Sequence, residues 1–160
     1  RYRVGGYGFP LGDEGGGAWL GLGLVRAALH AADGRGPASA LTETVLARYG
    51  GAAGVLAGLH RATPKDFADL APLVFAAAEE DPVRRGLLQG AAAQLTLLVA
   101  AFDRRFPPGD LLFSAVGSVA ARLLPGVLEA APVRFREGYR AAQEPPEIGA
   151  LRLAGWRGSL

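Results

Sequence analysis

The sequence contains no cysteine, no methionine and no asparagine, and its only lysine, Lys65, stands against sixteen arginines. Without thiols there is no disulfide framework, no thiolate metal site, no cysteine nucleophile and no ligand set for an iron–sulfur cluster. An excess of charge of one sign is also lacking. Seventeen basic and fifteen acidic residues leave a net charge of +2, and the basic residues are scattered, so no nucleic-acid partner is expected. The longest uncharged run, Gly86 to Phe102, holds 17 residues and includes Gln89, Gln94 and Thr96. That falls short of the about 20 residues that span a bilayer, so it reads as a buried core helix, and no membrane partner is expected. No basic n-region followed by an apolar stretch opens the chain, which gives no signal peptide and an expected cytoplasmic location. There is also no initiating methionine. Arg1-Tyr2-Arg3-Val4 alternates as a strand does, and because domains seldom begin inside a strand the chain reads as a fragment or a processed product.

What is present is a chain of 160 residues, half of them apolar, enough for one domain with a core of its own. After the glycine-dense opening, Ala18, Leu22, Val25, Leu29 and Ala32 recur at helical spacing, and Asp33 to Pro37 ends that helix. A second helix is expected over 42–49, with Gly50 and Gly51 suited to a left-handed cap, and a short one around Val55 to Leu59. Thr63-Pro64 and Asp81-Pro82 are helix starts, each a side-chain cap followed by a proline at the first helical position. Pro72 should kink the first of these helices. The second should be the longest, with Leu88, Ala91, Leu95, Leu98 and Phe102 along its stripe. Leu111 to Val116 reads as a buried strand running into Gly117-Ser118 and a helix to about Ala131. Val133 to Phe135 reads as a further short strand, and 147–154 as a terminal helix after Pro145-Pro146. Many helices and few strands point to a small sheet covered by helices.

Chemistry concentrates at two glycine-rich turns. In Gly5-Gly6-Tyr7-Gly8-Phe9-Pro10-Leu11-Gly12-Asp13-Glu14-Gly15-Gly16-Gly17, glycines admit a close neighbour and a carboxylate precedes a helix. An ionised Asp13 is an acceptor suited to sugar hydroxyls. It is equally suited, with Glu14, to cap the helix, and spacing alone favours capping. Leu111 to Val119 places a strand, a Gly-Ser turn and a helix in the order of a nucleotide contact, although a plain strand-to-helix turn has the same form. His30 and His60 have no partner cluster and read as surface or packing residues; Trp19 reads as core and Trp156 as tail packing. Gly50 to Gly54 lacks the acidic and hydroxyl residues of a phosphate loop.

The first turn closely resembles the GGWGxxxGDEGS segment of the BadF/BadG ATPase and N-acetylglucosamine kinase family, a branch of the actin and hexokinase superfamily. Tyr7 stands where that family usually has Trp, and Gly16 where it usually has Ser. The resemblance implies an α/β, helix-rich, ribonuclease-H-like ATPase lobe with a small mixed sheet, spanning residues 1–160. This would be a C-terminal lobe, with the N-terminal lobe outside the sequence. It implies sugar contacts at Gly6, Tyr7, Gly8 and Asp13, and nucleotide contacts at Ala68, Gly117 and Ser118. It implies ATP with Mg²⁺, an amino sugar such as N-acetylglucosamine or glucosamine as substrate, and a catalytic base on the missing lobe. No metal ligand is assigned within the chain. A homodimer is left open. The family's aspartate-glycine loop, its catalytic Asp and its Gly-Thr-Gly-Ser phosphate loop are not found in these 160 residues. Two rival readings remain: a non-enzymatic sugar- or nucleotide-binding domain, and the family's ATPase activators, whose iron–sulfur cluster needs the cysteines that this chain lacks.

Overall fold

Helix starts and stops follow local chemistry, and the computed structural model, which describes residues 3–156, has nine helices among them. Helix α1 (Gly17–Ala32) begins at Gly16 with no side-chain cap and ends at Asp33. Ser39 and Thr42 form a capping box that opens α2 (Ala40–Tyr49), two residues earlier than expected, and Gly50 closes it in the left-handed conformation at φ 75°. Helix α3 covers Ala52–Leu59. Thr63 and Asp66 form a second box on α4 (Pro64–Ala68). Pro72 does more than kink this segment. It stands in the first turn of a separate helix, α5 (Ala71–Ala76), because a proline that cannot donate within a helix is tolerated at a new start. Asp81 caps α6 (Pro82–Asp103), the longest helix. Helix α7 (Ser118–Ala130) follows Gly117, and α8 (Val133–Glu137) and α9 (Pro146–Leu153) complete the described chain.

The main core joins α1 to α2, α3, α4 and α5, with Leu24, Ala28, Val45, Val55, Leu70 and Val74 almost fully buried. The buried face of α1 is Leu20, Gly21, Leu24, Val25 and Ala28, a stripe rotated from the expected Ala18–Leu22–Val25–Leu29–Ala32 line. Gly21 accounts for the rotation. A Cβ there would overlap the Phe67 carbonyl oxygen, so α1 crosses α4 at backbone contact distance. Phe67 is accordingly a core residue, its ring tilted 37° against that of Phe9 at 5.4 Å between centroids.

The expected strands, the sheet they would form and the buried long helix are all overturned. The small mixed sheet is not formed: among the described residues there is no strand, only a parallel bridge between Phe113 and Tyr139. Leu111 to Val116 is extended but has one point of pairing, Phe113 N–H to Gly138 O and Arg140 N–H to Phe113 O, and Leu112 is 81% exposed. A strand persists only where a neighbour satisfies successive backbone groups, and here the neighbouring chain departs after one pair. Val133 to Phe135 is helical instead, its start set by Pro132. Of the opening strand, Arg3 and Val4 make no strand pairing among the described residues, and Arg1 and Tyr2 lie outside them. The ribonuclease-H-like α/β class is therefore replaced by an all-helical arrangement over the described residues. Helix α6, expected as a buried core helix, buries only Val83, Ala91 and Val99 while packing against α1, α5 and α7, and leaves Leu97 61% exposed. By length and composition alone it could cross a bilayer.

Candidate functional site

Residues 8–16 form a tight loop before α1. Gly12 N–H donates to Gly8 O at 2.7 Å and Gly16 N–H to Asp13 O at 3.0 Å. Asp13 itself adopts φ 59°, the left-handed conformation that non-glycine residues seldom take and that Asp tolerates better than most. Its exposed side chain makes no capping bond, and α1 has no acidic residue in its first turn. No side-chain hydrogen bond from Asp13 or Glu14 therefore caps α1 among the described residues, and the Asp13 side chain is exposed. Gly15, at φ 76°, seats the loop against α6: a Cβ there would stand 2.9 Å from the Ala91 carbonyl oxygen.

The second turn meets the first. Gly117 takes φ 107° and opens α7 with no side-chain cap, and a Cβ on it would meet nothing within 4 Å. A cleft of about 410 Å³ is lined by Gly6, Asp13 and Gly15–Gly17 on one side and by Gly117, Ser118 and Ala120 on the other, with Leu95 and Leu98 of α6 also lining it. Two helix N-termini therefore open onto one space. The first-turn N–H groups of Gly17 and Ala18, and of Ser118 and Val119, find no acceptor among the described residues, and such ends attract anions through both free donors and the helix dipole.

An adjoining cleft of about 310 Å³ shares Gly17, Ser118 and Val119 with the first and adds Ala68, Ala71, Pro72, Phe75 and Arg122. The structure thus gathers Gly6, Asp13, Gly117 and Ser118 around one opening and brings Ala68 to its neighbour. Tyr7 and Gly8 do not line either cleft, and Tyr7 is 78% exposed. Sequence reasoning missed Leu95 and Leu98, which it had assigned to a packing stripe, and it missed Phe75 and Arg122 entirely. No local motif marks those four. They reach the clefts only because α6 and α7 pack side by side and α5 abuts α1. His30 and His60 are exposed and line neither cleft, and no group of three His, Cys, Asp or Glu side chains able to hold a metal occurs among the described residues.

No family model matches the sequence. Over 125 residues the chain is 31% identical to the glucosamine kinase GspK of Vibrio cholerae, an alignment covering 77% of this chain and 42% of that protein. Its fold is similar to the crystal structure described as "Putative N-acetylglucosamine Kinase" from Chromobacterium violaceum, with a TM-score of 0.77, 37% sequence identity, and coverage of 94% of this chain and 50% of that one. Both likenesses agree with the kinship implied by the glycine-rich opening. By sequence and by fold the chain is a homologue of glucosamine and N-acetylglucosamine kinases, and it spans about half the length of the relatives it matches.

Proposed function

We propose that the chain is the sugar- and nucleotide-contacting half of an ATP-dependent kinase for an amino sugar, glucosamine or N-acetylglucosamine. The observation that carries this reading is the convergence of the Gly6–Asp13 loop and the Gly117–Ser118 turn on one cleft, on a chain related to amino-sugar kinases. Asp13 would accept hydrogen bonds from sugar hydroxyls, its left-handed backbone holding the carboxylate clear of the helix it precedes. Free N–H groups at the starts of α1 and α7 would receive nucleotide phosphate oxygens, and Gly117, with open space where a side chain would be, would let the backbone approach the nucleoside.

Phosphoryl transfer asks a protein chiefly for positioning and charge stabilisation, and that is the contribution of these residues. The described residues provide no protein cage for Mg²⁺, so in this reading the ion would arrive with the nucleotide. The base that takes the proton of the sugar hydroxyl is assigned outside the 160 residues. The two histidines line neither cleft, and Asp13 is assigned to binding.

Calorimetric titration of glucosamine and N-acetylglucosamine into the protein and its Asp13→Asn variant tests the assignment. A charged acceptor is worth about 1.5 to 3 kcal/mol, so sugar affinity should fall about tenfold or more. Equal dissociation constants would remove Asp13 from the sugar site. Gly117→Val should weaken ATP far more than sugar. In a coupled ATP-consumption assay the 160-residue chain alone should give no turnover, and robust turnover by a preparation free of other kinases would place the base within this sequence.

A further inference from the structure

Helix α4 turns Ala68 toward the second cleft and Asp66 toward a further cavity, of about 310 Å³, which shares no lining residue with either cleft. Arg48 and Tyr49 line it from the end of α2, His60 and Arg61 from the turn after α3, and Asp66 and Asp69 from α4 and its C-terminal cap. Close approach builds this corner. A Cβ on Gly54 would overlap the Tyr49 carbonyl oxygen, and one on Gly58 would stand 3.1 Å from Cδ1 of the Tyr49 ring, so α3 crosses the end of α2 at backbone distance with the ring seated against it.

The charges around this cavity differ in how far they are used. Arg48 and Arg61 have no carboxylate or carbonyl partner among the described residues, so both guanidinium forks are open. Each carboxylate is held through one oxygen. Thr63 donates its hydroxyl and its N–H to Asp66 Oδ2, both at 2.7 Å, which keeps that carboxyl below its ordinary value of 3.8 and therefore charged at neutral pH. Lys65 donates to Asp69 Oδ2 at 2.5 Å. Oδ1 of both residues stays open among the described residues. His60 Nδ1 donates to Ala57 O at 3.3 Å, which leaves Nε2 as an acceptor, and the Tyr49 hydroxyl has no partner among the described residues.

A ligand complementary to this lining carries an anion with several oxygens for the two forks, an ammonium and hydroxyls for the open carboxylate oxygens, and a compact ring beside Tyr49. Inorganic phosphate meets only the first demand, and a free amino sugar only the others. We propose that the cavity is a second sugar site, selective for a phosphorylated amino sugar, the class of product that the proposed reaction forms. Its description as a product rests on the amino-sugar kinase reading; the charge complementarity does not.

The test is calorimetric titration of glucosamine 6-phosphate, glucosamine and inorganic phosphate into the protein, into Asp13→Asn, and into Asp13→Asn that also carries Arg48→Gln and Arg61→Gln. Both arginines are exposed, and circular dichroism checks that the triple variant keeps its helices. In Asp13→Asn, with the first cleft weakened, the phosphate ester should still bind, and more tightly than glucosamine or phosphate. Replacing the two arginines should then weaken it about tenfold or more. Ester binding lost in Asp13→Asn would put the ester in the first cleft and overturn the second site, as would ester binding unchanged by the arginine substitutions. Inorganic phosphate that binds as tightly as the ester would make the cavity a plain anion site and overturn its selectivity. Absence of ester binding would overturn the proposal, whereas glucosamine binding that depends on Asp13 would leave the kinase reading standing. Ester binding that depends on the arginines, without Asp13-dependent glucosamine binding, would keep the second site and remove Asp13 from the first.

Discussion

Residues 17–103 and residues 104–156 are built from similar materials, alanine, leucine, glycine and arginine, yet they are held together differently. In the first region ten buried side chains, from Leu24 to Val83, form one continuous core, and α2, α4 and α6 each begin with a side-chain cap. In the second, the buried cluster is Val127, Ala131 and Phe135 together with Val99 of α6, and Leu112, Val116, Val133 and Leu153 are largely exposed. Polar fastening takes over there. Arg134 donates to Asp103 Oδ1 at 2.6 Å and to the carbonyls of Asp103 and Pro107, both at 2.7 Å, tying α8 to the end of α6. The contrast teaches that apolar content alone does not make a core. Close helix crossings and satisfied helix ends make one, and in the second region, where α7, α8 and α9 all start without a side-chain cap, the buried cluster stays small. The candidate site lies on the seam, taking Asp13 and Ala68 from beside the first region's helices and Gly117, Ser118 and Arg122 from the second.

The sharpest way to break the comparison is to separate the closest crossing of the first region. Gly21→Val puts a branched side chain against the Phe67 carbonyl, so α1 and α4 must part, with an expected loss of about 3 kcal/mol or more. Thermal unfolding followed by circular dichroism should show it as the largest drop in midpoint among these variants.

Next in size is Asp81, which is 8% exposed and closes two helices at once. Its Oδ1 accepts from Val83 N–H at 2.9 Å and Arg84 N–H at 3.0 Å, and its Oδ2 accepts from Leu41 N–H at 3.2 Å. Burial alone would raise its pKa. The N–H of Arg84, the Ser39 hydroxyl and the N–H groups of Leu41 and Val83 outweigh that, and the carboxyl lies below its ordinary value of 3.8. A carboxyl lowered in the folded state stabilises above its unfolded pKa, and the gain is lost as pH falls through the folded value. Asp81→Asn should therefore cost about 2 kcal/mol at pH 7, and the gap to wild type should close as the pH drops below 3.8. A gap that persists unchanged to pH 2 would show that the charge plays no part.

For the second region, Arg134→Gln removes the fastening between α8 and the end of α6. Because the pair is partly exposed, the expected cost is about 1 kcal/mol, read most clearly as faster amide exchange across 104–140 with 17–76 unchanged. The smallest effect should come from Leu112→Ser. At 81% exposed, Leu112 contributes little burial, and stability should stay within about 0.5 kcal/mol of wild type by chemical denaturation.

The sequence by itself determined what local chemistry can determine. Ser39, Thr63 and Asp81 mark helix starts by donating or accepting within their own first turn, Gly50 marks a stop by its left-handed backbone, and Pro146 opens the last helix. The Gly5–Gly17 string was legible for the same reason, since its glycines and its carboxylate follow one another along the chain. Tertiary structure decided what depends on partners distant in sequence. Whether Leu111 to Val116 became a strand rested on how far residues 138–140 ran beside it, and they paired once. Which face of α1 was buried rested on Gly21 meeting the backbone of Phe67, and no periodicity within α1 encodes that meeting. Likewise Asp81 reaching Leu41, and Arg122 settling over Phe75, join residues whose separation in sequence leaves no local signal, because only the packing of the helices brings them together.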